Sequence, residues 1–274
     1  MNYGYAPADQ AASPELLPDD EAERYPAQLY HAVASQVSLN GASVLDAGCG
    51  RGGGASHVHR YLGPAETVGC DLAHQAIAFC NRVHGGVDGL TFRQGDAMAL
   101  PFPDDRFDAV VNVESAHCYP DRVGFFTEAF RVLRPGGEFL FTDFTPPRVA
   151  PGDERTRILA ELAQVGFNLP KVTDITECIV RGLDRDDARR TREIRARFPL
   201  GTRSLARLWA GTKGSWIYRD FVEGRRAYLM YCATKPAVPE PVAEPVRHFS
   251  STSTKLMEPE PALMTLCSTP AARR

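Results

Sequence analysis

The chain has 274 residues, of which 43% are apolar and 24% charged, and a formal net charge of -3. This composition excludes a fibrous or wholly disordered protein, and the length suffices for a full hydrophobic core. No run of 18 apolar residues occurs, so no membrane span is expected, and the near-neutral balance argues against a dedicated nucleic-acid binder.

The opening stretch MNYGYAPADQAASPELLPDD has no basic head and no apolar core, so no secretory signal is expected. Residues 1–18, rich in Ala, Pro and acidic side chains, are expected to be mobile. In residues 21–37, Tyr25, Leu29 and Val33 at helical spacing predict a helix able to close over a ligand. Short apolar runs then predict strands at 43–46, 66–71, 90–94, 107–113 and 138–142. Helical segments separate them, among them 73–83 and 123–133, the latter stopped by Pro135-Gly136-Gly137. Strand–helix alternation of this kind builds a parallel sheet with helices on both faces, which binds ligands at the carboxyl ends of its strands. From Arg181 to Arg226 a helical stretch carries 13 Lys or Arg against six Asp or Glu, and a last strand is expected at 227–233. The segment 236–274, with seven prolines and the run Ser250–Thr254, reads as a disordered tail, leaving 19–235 as the folded body. Seven cysteines, an odd number without a CxxC pair, read as reduced thiols of a cytoplasmic protein, and no metal site is expected.

The strongest local signal is VLDAGCGRGGG at 44–54, a glycine loop closing a strand and opening a helix. Glycine permits the sharp turn and lets a ligand approach the main chain. Gly48, Gly50 and Gly53 satisfy GxGxxG, and Asp71 follows 18 residues after Gly53, so the spacing admits a nicotinamide dinucleotide as well as S-adenosylmethionine. Asp46 separates them: a carboxylate at that strand end repels a pyrophosphate but suits a phosphate-free, cationic ligand. Asp71, at the end of the second strand, can accept hydrogen bonds from ribose hydroxyls, and Asp96, after the third, from an exocyclic amine.

On these residues, with VGCDLA at 68–73, QGDAMALPFPDDRFDAVVN at 94–112 and RVLRPGGEFLFTDF at 131–144, the sequence resembles the class I S-adenosylmethionine-dependent methyltransferases over about residues 40–180. The resemblance implies a Rossmann-like, doubly wound α/β fold: a seven-stranded, mostly parallel sheet whose last strand is antiparallel, with the basic stretch as a helical lid before it. It further implies that Asp46, Gly48, Cys49 and Gly50 cradle the methionine portion. Asp71 would hold the ribose, Leu72 and Ala97 would pack the adenine, Asp96 would meet its amine, and Asn112 would help hold the methionine end.

Transfer to a hydroxyl also needs a base, because neutral oxygen is a poor nucleophile. His117, in NVESAHCYPD at 112–121, leaves the fourth strand toward the active edge, and Asp143 ends the fifth. Small-molecule O-methyltransferases similar to this chain carry a His and an Asp in matching contexts, so the resemblance implies a His117–Asp143 dyad. Glu114 is the fallback base, or else a ligand to the cofactor's amino group. The resemblance points to an apolar, lipid- or polyketide-like acceptor of secondary metabolism, such as antibiotic biosynthesis, with Trp209, Trp216, Tyr218 and Phe221 lining its pocket. Nucleic-acid amino-methyltransferases carry an N/D-P-P-Y/F element where this chain has Asn112-Val113-Glu114-Ser115, so no nucleic-acid partner is expected. C- or N-methylation, and a methyltransferase fold serving another step such as cyclisation, remain alternatives. The oligomeric state is left open, with a homodimer as the assembly considered.

Overall fold

The computed structural model describes residues 2–9, 11 and 13–237. The elements run α1 (Arg24–Ala34), β1 (Ser43–Ala47), α2 (Gly53–Leu62), β2 (Glu66–Asp71), α3 (His74–His84), β3 (Leu90–Gln94), β4 (Phe107–Val113), α4 (Arg122–Val132) and β5 (Leu133–Phe144). They continue with α5 (Pro151–Val165), β6 (Lys171–Asp174), α6 (Thr176–Arg197), α7 (Arg203–Trp209), α8 (Trp216–Val222) and β7 (Tyr228–Thr234).

The strands form one seven-stranded sheet in the order β3-β2-β1-β4-β5-β7-β6. The first five are parallel, and β7 enters antiparallel between β5 and β6. The seven-stranded, mostly parallel sheet expected from the sequence is therefore present. Strand order reverses between β1 and β4, so their carboxyl ends open a crevice, the standard ligand site of such sheets. β1 is buried along its whole length, as a strand covered by helices on both faces must be. One apolar core, with Phe125, Phe126, Phe139 and Phe141, fills one face, and a second, with Leu29, Val33, Leu140 and Tyr228, fills the other.

Some expectations need correction. Residues 2–6 are not loose: Asn2, Tyr3 and Ala6 are buried. The Tyr5 amide donates to the Tyr25 carbonyl at 2.9 Å and the Ala6 amide to the Cys178 carbonyl at 3.0 Å. The Ala- and Pro-rich composition of 1–18 hid two tyrosines able to bury large rings. The basic stretch is helical and precedes the last strand as expected, in α6, α7 and α8, with α6 beginning a little earlier, at Thr176. Much of its charge is internally paired, as in Arg189 and Arg190 with Asp186 and Arg225 with Asp220. β6 was not foreseen. The tail, apart from residues 236 and 237, lies outside the described residues. No described helix is long and apolar enough to cross a membrane.

Candidate active site

The acids singled out from sequence converge on the carboxyl edge of the sheet, at successive strand ends. Asp46 is 1% exposed, and among the described residues neither of its carboxylate oxygens has a hydrogen-bond partner. Burial first, and the charge of Asp71 second, push its carboxyl up to about 7. The Tyr30 hydroxyl and Ala55 amide, near it but not hydrogen-bonded, offset only part of this. An unpaired buried carboxyl of this kind calls for a cation.

The glycine loop is held against β2. The Gly48 and Cys49 amides donate to the Cys70 carbonyl at 2.8 and 3.0 Å, and the Gly50 amide donates to Asp71 Oδ2 at 2.8 Å. Gly48 has φ +77°, and a Cβ there would lie 2.3 Å from Ser115 Oγ and 2.5 Å from the Tyr119 hydroxyl. Only glycine lets the loop meet that hydroxyl pair. Gly54 plays the same part beneath α1, where an added Cβ would stand 2.0 Å from the Tyr30 ring. Cys49 is buried, and its thiol is pushed up by Cys80 and by burial, which suits packing rather than reactivity.

Asp71 Oδ1 also accepts the Ala73 amide at 2.9 Å. Leu72 is 67% exposed beside it, an apolar side chain placed to cover a flat ring. Asp96 Oδ1 accepts the Met98 amide at 2.9 Å, and Ala97 is buried next to it. Asn112, fully buried, donates from Nδ2 to the Ala47 carbonyl at 2.8 Å and to Ser115 Oγ at 2.6 Å. Among the described residues its Oδ1 has no partner. Unpartnered oxygens on Asp46 and Asn112, an exposed apolar residue and two acids at neighbouring strand ends fit a phosphate-free cationic nucleoside.

The second cluster stands at the ends of β4 and β5. His117 Nδ1 lies 2.9 Å from Asp143 Oδ1. Asp143 Oδ2 accepts the His117 backbone amide at 2.9 Å, and Oδ1 accepts the Phe144 amide at 2.9 Å. With the carboxylate ionised, Nδ1 must carry the proton, which leaves Nε2 as a free acceptor. Burial works to lower the imidazole pKa, but the Asp143 hydrogen bond and charge, joined by Glu114, outweigh it and raise it above 6.5. Glu114, with φ +50°, accepts the Tyr228 hydroxyl at 2.5 Å and the Tyr3 amide at 2.8 Å. Burial raises its pKa, and these bonds tie it down, so it is a strut rather than a free base.

The aromatic residues expected to line one pocket are divided. Trp209, with Tyr3, Ile194, Phe198 and Leu205, lines an apolar cavity of about 560 Å³ under α6 and α7. Trp216 borders a second of about 640 Å³ beside Pro147 and Pro151. Phe221 is core and Tyr218 donates to Asp184 Oδ1 at 2.8 Å. Sequence reasoning missed Tyr3, Tyr30, Ser115 and Tyr119. Tyr30 lies one position after Leu29 on the predicted helix, and Ser115 and Tyr119 lie within NVESAHCYPD, where they bond each other and Asn112; Tyr3 left no signal.

The comparisons with known proteins agree with this geometry. A family described as "Methyltransferase domain" matches residues 45–141, from β1 into β5. The fatty-acid O-methyltransferase of Mycolicibacterium smegmatis is 42% identical over 240 residues, covering 86% of this chain and 83% of that protein. The phthiotriol/phenolphthiotriol dimycocerosates methyltransferase of Mycobacterium tuberculosis is 37% identical over 235 residues, covering 86% and 84%. Among solved structures, the [4+2]-cyclase SpnF superposes with a TM-score of 0.64 at 24% identity, over 87% of this chain and 88% of that one. The geranyl diphosphate C-methyltransferase of Streptomyces coelicolor, solved with S-adenosyl-L-homocysteine, gives 0.61 at 20% identity, over 86% and 89%. Those two show the shared fold. The strand-end acids, the glycine loop and the relatives converge: the chain belongs to the S-adenosylmethionine-dependent methyltransferases, and S-adenosylmethionine is its cofactor.

Proposed function

We propose that the protein transfers a methyl group to an oxygen of a small, lipid-like acceptor, first of all a hydroxyl, with His117 as general base and Asp143 as the residue that orients it. When bound, the cofactor supplies a methyl group already activated by a positive sulfur. The protein then has to hold the partners in line, keep water out and, for a hydroxyl, take its proton. The observation that carries this reading is the His117–Asp143 contact at 2.9 Å, which frees Nε2 at the carboxyl edge of the sheet. The apolar cavity bounded by Tyr3 supports a lipid-like acceptor, because Tyr3 packs on Phe144 with ring centroids 5.5 Å apart and Phe144 on His117 at 4.5 Å. The relatives, one named for fatty acids and one for phthiotriols, support the same class.

In the proposed cradle, Asp46, Gly48, Cys49, Gly50 and Asn112 hold the methionine portion, and Asp71, Leu72, Asp96 and Ala97 hold the adenosine. Asp71→Ala is expected to weaken S-adenosylhomocysteine binding by about tenfold or more, since hydrogen bonds to a charged group contribute roughly 1.5–3 kcal/mol each. Calorimetry measures it, and an unchanged dissociation constant removes Asp71 from the site. The function itself is tested with methyl-labelled cofactor and a series of long-chain alcohols, with mass spectrometry of the products. An O-methyl ether supports the reading. Label found on carbon or nitrogen, or tight cofactor binding with no label transferred to any acceptor, overturns it.

A further inference from the structure

The stretch from Arg192 to Trp209, at the end of α6 and through α7, leaves large apolar side chains in water. Leu200 is 80% exposed, Trp209 66% and Leu205 59%, and Phe198 and Leu208 are exposed in the same stretch. Exposed apolar residues are ordinary when scattered singly, but five in one short stretch make a patch. α7 buries none of its residues, and Leu205, Leu208 and Trp209, three and four positions apart, share one face of it. Phe198, Leu205 and Trp209 also border the apolar cavity of about 560 Å³ that reaches Tyr3. The patch therefore runs into the cavity assigned above to the acceptor.

The charge of this stretch is a second, independent observation. Arg192, Arg195, Arg197, Arg203 and Arg207 stand in it against one acid, Glu193, and that carboxylate is taken by Arg189 at 2.9 Å. Among the described residues none of the five pairs with a carboxylate, whereas Arg189 and Arg190, just before them on α6, are both tied to Asp186. Arg203 donates instead to the carbonyls of Phe198 at 2.9 Å and Arg195 at 2.7 Å, which fastens the start of α7 to the end of α6. Arg197 borders the same cavity as the apolar side chains. Unpaired positive charge thus accompanies exposed leucine and tryptophan around one opening. Water satisfies the arginines and not the leucines. A surface that is apolar within and negative at its rim satisfies both, because arginine can lay its stem along the hydrocarbon and its head among anionic groups.

We propose that the face carrying Phe198, Leu200, Leu205, Leu208 and Trp209 docks on an anionic lipid bilayer, which brings the mouth of the cavity to the place where a lipid-like acceptor is dissolved. Docking on a surface requires no spanning helix: α7 lies in the interface, with tryptophan at the headgroup level and arginines on the phosphates. The docking rests on the side chains themselves. Only its purpose rests on the lipid-like acceptor under Proposed function.

The test is cosedimentation of the full chain with vesicles of phosphatidylcholine, alone or with about one third phosphatidylglycerol, with no acceptor present. The wild type is expected to bind the mixed vesicles, weakly or not at all the neutral ones, and less tightly as salt is added. L200E/L208E, at positions that do not line the cavity, should weaken binding at least about tenfold. R195A/R197A should weaken it about 25-fold on the mixed vesicles, at about fivefold for each arginine near an anionic surface. Brominated lipid should quench the tryptophan emission of the wild type, and W209F should lose most of that quenching; this reading stands even if a double variant does not fold. Failure to bind the mixed vesicles, equal binding to both kinds, or binding unaltered in both double variants overturns the proposal. So does a wild-type dimer that L200E/L208E splits, which gives the face to a second copy of the chain, or tighter binding to polyglutamate than to the vesicles, which gives it to an acidic protein. Vesicle binding without methylation of any long-chain alcohol defeats the lipid-like reading and leaves the docking; methylation without vesicle binding does the reverse.

Discussion

His117→Ala is expected to lower turnover on a hydroxyl acceptor by about 10²- to 10⁴-fold, the usual contribution of a positioned base, with cofactor affinity close to the wild-type value. The separation follows from the geometry: among the described residues the His117 side chain is hydrogen-bonded to Asp143 and not to the loop from Gly48 to Gly50. Asp143→Asn should cost a comparable amount, because an amide in that place can present a donor to Nδ1 and favour the wrong tautomer. The pH profile gives a further check. The imidazole pKa is raised above 6.5, and only the neutral ring can accept a proton, so the rate on an alcohol climbs through that raised pKa and levels off above it. In the alanine variant the climb disappears. A variant that keeps both its rate and its rising limb sinks the assignment.

Asp46→Asn is the second large effect, and it acts in two opposed directions. In the folded protein the carboxyl titrates at about 7 rather than 3.8, chiefly through burial. A raised acid pKa favours the folded state below about pH 4, and that contribution is lost as pH climbs through 7. At pH 8 the ionised side chain therefore costs the cofactor-free protein something on the order of 4 kcal/mol. Asparagine carries no such charge, so D46N without cofactor should melt higher than the wild type at pH 8 and about the same at pH 4. Cofactor binding should suffer in the same variant. Wild-type affinity should rise with pH through about 7 as the carboxylate forms, and D46N should bind at least tenfold more weakly at pH 8 with the pH dependence gone. Melting curves and calorimetry at the two pH values measure both. A variant no more stable and no weaker in binding would show that Asp46 faces neither the charge penalty nor the ligand.

The order of elements up to β5 was legible because each central strand is a short apolar run closed by glycine or an acid. Asp46, Asp71, Asp96 and Asn112 were legible for the same reason, since a strand end fixes where its last side chain stands. β6 was not, because Lys171–Asp174 is a short edge strand with no buried residue and leaves no apolar run to read. Arg226 is buried in a stretch dense with arginine, where the ordinary reading is a solvated surface. Its burial depends on Trp216, Phe144 and Asp220, and pattern reading of one segment cannot assemble those three. Tyr3 was obscured by the composition around it in the same way.

The opening residues act as a latch. The Tyr3 amide is fastened to Glu114, the Tyr5 amide to the Tyr25 carbonyl on α1, and the Ala6 amide and the Asn2 carbonyl to Cys178 and Arg190 on α6. The end of β4, α1 and α6 are thereby stitched to one strip of chain. Lifting that strip means breaking its bonds to all three together.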